Sequence, residues 1–172
     1  MIIVDVETTG LNPFESKIIC IQTKRGNHIC IRKEWKAGEL AVISDFLDFL
    51  RTVSGDEIML GYNNLKFDVP FIAQRLSAHG EHDRDTYNLL YNKKWLDLYQ
   101  FLGDDYRSMD SWLRMLGLSK STSGIRGKDV PQLYMAKKYD LIERYIVDEL
   151  HTCEKLFQEL ILRYPAFFEG RI

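Results

Sequence analysis

Three cysteines, four histidines and four prolines are few for 172 residues, and each shortage excludes something. Cys20, Cys30 and Cys153 are odd in number and contain no C-x-x-C pair, so neither a disulfide framework nor a zinc ribbon is expected. They read as reduced thiols of a cytoplasmic protein. His28, His79, His82 and His151 lack the spacing of an H-E-x-x-H metal motif, which leaves them surface or loop roles. No apolar run approaches the roughly 20 residues that span a bilayer. A basic n-region with a small-residue cleavage site is also missing, and Asp5 would interrupt a signal peptide. Positive charge is not in excess: the formal net charge is −2. What remains is an ordinary globule, 45 % hydrophobic and 28 % charged, of a length that suits one domain over residues 1–172.

What is present is concentrated at the start. Ile2, Ile3, Val4 and Val6 have the β-branched composition of a strand buried on both faces. Asp5 and Glu7 interrupt it, two residues apart and therefore on the same face. Burying two like charges side by side is costly unless a cation neutralises them. All-carboxylate ligation suits Mg²⁺ or Mn²⁺. Thr8, Thr9 and Gly10 follow at once, a place where backbone N–H groups can approach a phosphate or sugar.

Further along, residues 17–23 and 27–32 flank Lys24-Arg25-Gly26-Asn27 and predict a hairpin, so the first three strands form an antiparallel meander. Leu40, Ile43, Leu47 and Leu50 predict a long amphipathic helix over 38–53. A short buried strand over 57–61 leads to a helix beginning near Asp68, with Pro70 in its first turn. Asp68 thus stands at a helix N-terminus just past a strand end, where open α/β sheets keep their ligands. Residues 79–91 read as a polar loop, 94–98 as a fifth strand and 108–116 as a short helix capped by Ser108. A Ser/Gly loop over 119–127 lacks P-loop order; short and long helices follow over 130–138 and from Tyr139 to about residue 164. In the last helix Ile142, Ile146, Leu150, Cys153, Phe157 and Leu160 form one apolar stripe. Asp148 lies off that stripe, on the flank of Leu141, Tyr145 and Thr152.

Asp5-x-Glu7 with Thr8-Thr9-Gly10-Leu11, then Asn63-x-x-x-Phe67-Asp68, then a late helical Asp148, resembles the DEDD superfamily of 3′–5′ exonucleases. The nearest branch is the tyrosine-containing one of family B DNA polymerase proofreading domains. The resemblance implies an α/β, ribonuclease H-like fold: a mixed five-stranded sheet, three strands antiparallel and then two parallel, flanked by helices. It implies that Asp5, Glu7, Asp68 and Asp148 hold two Mg²⁺ or Mn²⁺ ions, and that one exonuclease domain releases nucleoside 5′-monophosphates from a single-stranded 3′ end, DNA favoured. Thr8, Thr9, Gly10, Leu11, Asn63 and Phe67 then contact the terminal nucleotide, with Leu11 as an apolar wedge. The third motif departs from the pattern. Counting back from Asp148 puts Arg144 at the tyrosine position of Tyr-x-x-x-Asp and Glu143 at the histidine position of the other branch. Tyr145, one residue late, is taken as the residue that orients water, with Arg144 and Glu143 as alternatives. A polymerase or repair complex is the protein partner to which such a domain points. A ribonuclease H-like endonuclease and a catalytically weak nucleic-acid-binding module are the competing functions.

Local charge is more telling than the total. Over 111–146, Arg114, Lys120, Arg126, Lys128, Lys137, Lys138 and Arg144 stand against three acids, a local excess of four positive charges. That stretch is either a phosphate-facing flank or a solvated surface.

Overall fold

The computed structural model describes residues 1–101, 107–119, 124–170 and 172. Strands β1 (Ile2–Thr8), β2 (Ile18–Arg25) and β3 (His28–Lys33) form the antiparallel meander. Gly26, at φ +56°, begins the hairpin turn, a conformation a β-carbon would strain. Strands β4 (Ile58–Gly61) and β5 (Lys94–Asp97) add in parallel on the other side of β1, giving the order β3-β2-β1-β4-β5. The expected mixed sheet of three antiparallel and two parallel strands is the one observed.

Alternation along β1 divides the core in two. Ile2, Val4 and Val6 pack beneath α2 (Glu39–Thr52) and α3 (Asp68–Ala78). Ile3 joins Leu60, Leu96 and the buried stripe of the 25-residue helix α8 (Tyr139–Arg163) on the opposite face. Sandwiching the sheet between helices explains why β1 carries apolar residues at both parities. Between them run the four-residue helix α1 (Glu34–Ala37), α4 (Arg84–Tyr91), a single turn α5 (Leu98–Phe101), α6 (Met109–Met115), a 3₁₀ turn at Gly127–Asp129 and α7 (Val130–Met135).

Two readings need correction. Residues 79–91 are not a loop throughout: α4 occupies their second half, capped by Asp83, whose carboxylate accepts from the Thr86 N–H at 3.0 Å. Its composition is polar because only Leu90 is fully buried, so the apolar stripe is too narrow to register as a period. Leu40 heads the predicted apolar stripe of α2 yet is 39 % exposed; Glu39 takes the buried place at that end of the helix. The predicted loop over 119–127 and its Lys120 lie partly or wholly outside the described residues.

Candidate active site

The site forms where β1, β4 and β5 end. Beyond Leu60 the parallel pairing of β1 with β4 stops, and the Asn64 side chain continues it by donating Nδ2–H to the Val4 carbonyl at 3.0 Å. Gly61 makes this possible, since a β-carbon there would fall 1.6 Å from Asn64 Oδ1. Asp97 fixes the same turn from β5. Its carboxylate accepts from the N–H groups of Asn63 (2.7 Å), Leu65 (3.0 Å) and Tyr99 (3.0 Å). Asn63 is held at φ +68°, a left-handed conformation that asparagine tolerates better than most residues. Burial raises the Asp97 carboxyl above its usual range, against those three N–H groups and the charge of Lys66.

Against this frame the acids gather. Asp5 faces Gln22 across the β1–β2 ladder, and Gln22 Nε2 donates to Asp5 Oδ2 at 2.6 Å. Glu7 is buried opposite Cys20, next to a β-bulge where Thr8 skips to Ile18. Asp68 enters from the first turn of α3, 4 % exposed, with Oδ1 buried and accepting no hydrogen bond. Burial first, and the neighbouring charge of Asp5 second, lift the Asp68 carboxyl well above the usual range; the N–H groups of Asp68 and Val6 only partly oppose them.

Of the two neighbouring acids of α8, the structure turns Glu149 rather than the expected Asp148 toward Asp5 and Tyr145. Glu149 is buried and lines a groove with Asp5 and Tyr145, whereas Asp148 is half-buried and does not line it. The reason is helix phase: Tyr145 and Glu149 are four residues apart, about 40° around the axis, while Asp148 is rotated by about 100° from Glu149. Tyr145-x-x-x-Glu149 has the spacing of the tyrosine branch with glutamate in place of aspartate. Tyr145 lines the groove, and Arg144 and Glu143 do not. Arg144 pairs with Asp140 at 3.1 Å, and Glu143 with Lys33 at 2.6 Å. Burial, then the charges of Glu7, Glu149 and Asp5, push the Tyr145 hydroxyl far above its ordinary range, so it remains a neutral phenol able to donate.

The remaining expected contacts occupy the two loops beside the acids. Thr8 donates its hydroxyl to the Gly10 carbonyl at 2.7 Å, and the Thr9 hydroxyl accepts from the Lys17 N–H at 3.0 Å. Both hydroxyls therefore shape the turn. Gly10 passes so near Ser16 that a β-carbon would lie 2.6 Å from its Oγ. Leu11 projects from that turn, 84 % exposed. Asn63 is half-buried, and Phe67 rests on Phe71 with ring centroids 5.4 Å apart.

Among the described residues no three His, Cys, Asp or Glu side chains already stand in the arrangement of a cation site. The donor chemistry nonetheless fits a hard divalent ion: the acids here offer carboxylate oxygens, and the buried Asp68 Oδ1 has no donor of its own. No described helix is long and apolar enough to cross a membrane.

The fold has relatives of known structure. A family B DNA polymerase from the hyperthermophilic archaeon Pyrobaculum calidifontis superposes with a TM-score of 0.75 at 20 % identity, over 93 % of this chain and 24 % of that one. A product-bound exonuclease I gives 0.66 at 10 % identity, over 98 % of this chain and 44 % of that one. The chain therefore spans less than half of either protein. In sequence, an uncharacterised protein of Methanocaldococcus jannaschii is 29 % identical over 141 residues, 77 % of this chain and 74 % of its own. The RNase_H superfamily is matched over residues 2–160. With that match along nearly its whole length, and a mixed sheet of order β3-β2-β1-β4-β5, the chain belongs to the RNase_H superfamily.

Proposed function

We propose that this chain is a metal-dependent 3′–5′ exonuclease that removes nucleoside 5′-monophosphates from single-stranded nucleic acid, DNA favoured. The observation that carries the reading is that Asp5, Tyr145 and Glu149 line one groove at the strand ends, with the charge of Glu7 felt at the Tyr145 hydroxyl and that of Asp5 at the buried Asp68. The fold shared with exonuclease I and a family B DNA polymerase supports it.

The four carboxylates are the residues that would hold Mg²⁺ or Mn²⁺, two ions in the DEDD pattern. Bound there, such ions supply Lewis acidity toward the phosphate and lower the pKa of water. The chain's own residues do the rest. Gln22 and Asn64 hold β1 so that Asp5 keeps its orientation, through the Asp5 carboxylate and the Val4 carbonyl respectively. Tyr145, held neutral, positions the attacking water by a hydrogen bond and is not the base. The water oxygen adds to phosphorus, the bond to the 3′ oxygen of the preceding nucleotide breaks, and that oxygen leaves with a proton. The turn from Thr8 to Leu11, with Asn63 and Phe67, receives the terminal nucleotide through backbone groups and apolar contact, which read no base edge.

The test is incubation of end-labelled single-stranded DNA and RNA with Mg²⁺, Mn²⁺ or EDTA. Stepwise mononucleotide release that EDTA abolishes is expected. Cutting of a circular single strand would favour an endonuclease instead.

A further inference from the structure

We infer that Arg126 and Lys128 form a second phosphate subsite, which takes the phosphodiester one step inward from the scissile one. The inference rests on the nuclease reading and specifies its substrate: an oligonucleotide rather than a dinucleotide or a mononucleotide ester.

A groove of about 440 Å³ is lined by Asp5, Tyr145 and Glu149 and also by Arg126 and Lys128, with Tyr62 and Met109 in its wall. The same groove therefore holds acids, which need a cation before they meet phosphate, and cations that meet phosphate directly. Lys128 is exposed and, among the described residues, makes no ion pair. Arg126 is 63 % exposed along its side chain and approaches Asp129 only to 3.6 Å. Asp110 also lies on the wall.

Their backbone is fixed, unlike that of scattered surface cations. The Asp129 N–H donates to the Arg126 carbonyl at 2.7 Å, and the Arg126 N–H donates to Asp129 Oδ2 at 3.0 Å. Gly127, between the two cations, lies against α8: a β-carbon there would come within 3.2 Å of the Tyr145 hydroxyl. A close backbone contact thus fixes the segment of the two cations beside the Tyr145 hydroxyl. Arg144, from the same basic stretch, is committed to Asp140 and does not line the groove.

Binding separates this subsite from the chemistry. The affinities of thymidine 5′-monophosphate and of trithymidylate are measured by competition against a 5′-labelled trinucleotide, with Ca²⁺ replacing Mg²⁺ to slow turnover. For the wild type we expect the trinucleotide to bind at least about tenfold more tightly than the mononucleotide. In Arg126→Gln/Lys128→Gln most of that gain is lost, and the salt dependence becomes shallower by about one unit per cation removed. If the double variant melts early, Lys128→Gln alone carries the same test at an exposed position. An undiminished gain in the variants overturns the subsite. Mononucleotide release by the wild type in Mg²⁺ is scored separately: its absence removes the exonuclease reading, while a length-dependent affinity that needs Arg126 and Lys128 would still uphold the subsite.

Discussion

Gln22 Nε2 lies 2.6 Å from Asp5 Oδ2, donating from the centre of β2 to the carboxylate at the centre of β1. Gln22 is completely buried, and its own Oε1 accepts no hydrogen bond. Holding Asp5 therefore leaves one buried acceptor unsatisfied, an arrangement that stability alone does not favour. Replacing Gln22 with Met removes the donor and the orphaned oxygen together. The expected result is a melting temperature within a few degrees of wild type, with the Mn²⁺ concentration for half-maximal activity raised about tenfold or more. Thermal stabilisation by Mn²⁺, measured without substrate, should weaken in parallel; unchanged Mn²⁺ stabilisation would show that Gln22 is mere packing.

Glu149 and Asp148 are neighbours in sequence with opposite expected consequences. Glu149→Gln keeps the side-chain length and should lower turnover by more than about a hundredfold, because it removes an anionic ligand candidate from the groove. Asp148→Asn should leave turnover within a factor of about two. Rates of mononucleotide release from one oligonucleotide decide the pair, and a reversed order would return the fourth position to Asp148.

The Gly61–Asn64 approach makes a stability prediction. A methyl at residue 61 cannot share space with an Asn64 Oδ1 only 1.6 Å away, so Gly61→Ala must drive Asn64 off the Val4 carbonyl. Overpacking of this kind costs about 1–3 kcal/mol. Urea denaturation should report a loss of that size. Activity should fall further than the folded fraction does, because Asn64 braces the strand that carries Asp5.

Acid should weaken the fold through Glu39. Its carboxylate accepts from Arg75 Nε (2.8 Å), Arg75 Nη2 (2.7 Å) and the Ile18 N–H (2.7 Å), and contacts His79 Nε2 at 2.8 Å. Burial acts to raise its pKa, but the bonds from Arg75, Ile18 and His79 together outweigh burial and hold it below the usual carboxylate range. A lowered folded-state pKa means that this stabilisation is full above the unfolded value of about 4.3 and is lost as pH falls through the folded one. Glu39→Gln should cost about 2 kcal/mol at pH 7. The difference from wild type should narrow below about pH 4, as read by melting temperature across a pH series.

The amino-acid sequence by itself determined the strands, the long helices and where Asp5, Glu7 and Asp68 stand on them. Those features are local: Asp5 and Glu7 share a face because a strand alternates, and Asp68 opens a helix because Pro70 belongs in a first turn. Tertiary structure decided the rest. Helix α8 could turn either Asp148 or Glu149 inward, and its apolar stripe against Ile3, Leu60 and Leu96 chose Glu149. Gln22, Asp97 and Arg126–Lys128 carry no local motif. They acquire their positions from ladder register and loop packing across 17 residues for Gln22–Asp5 and 34 for Asp97–Asn63, and no pattern within a single segment encodes such a distance.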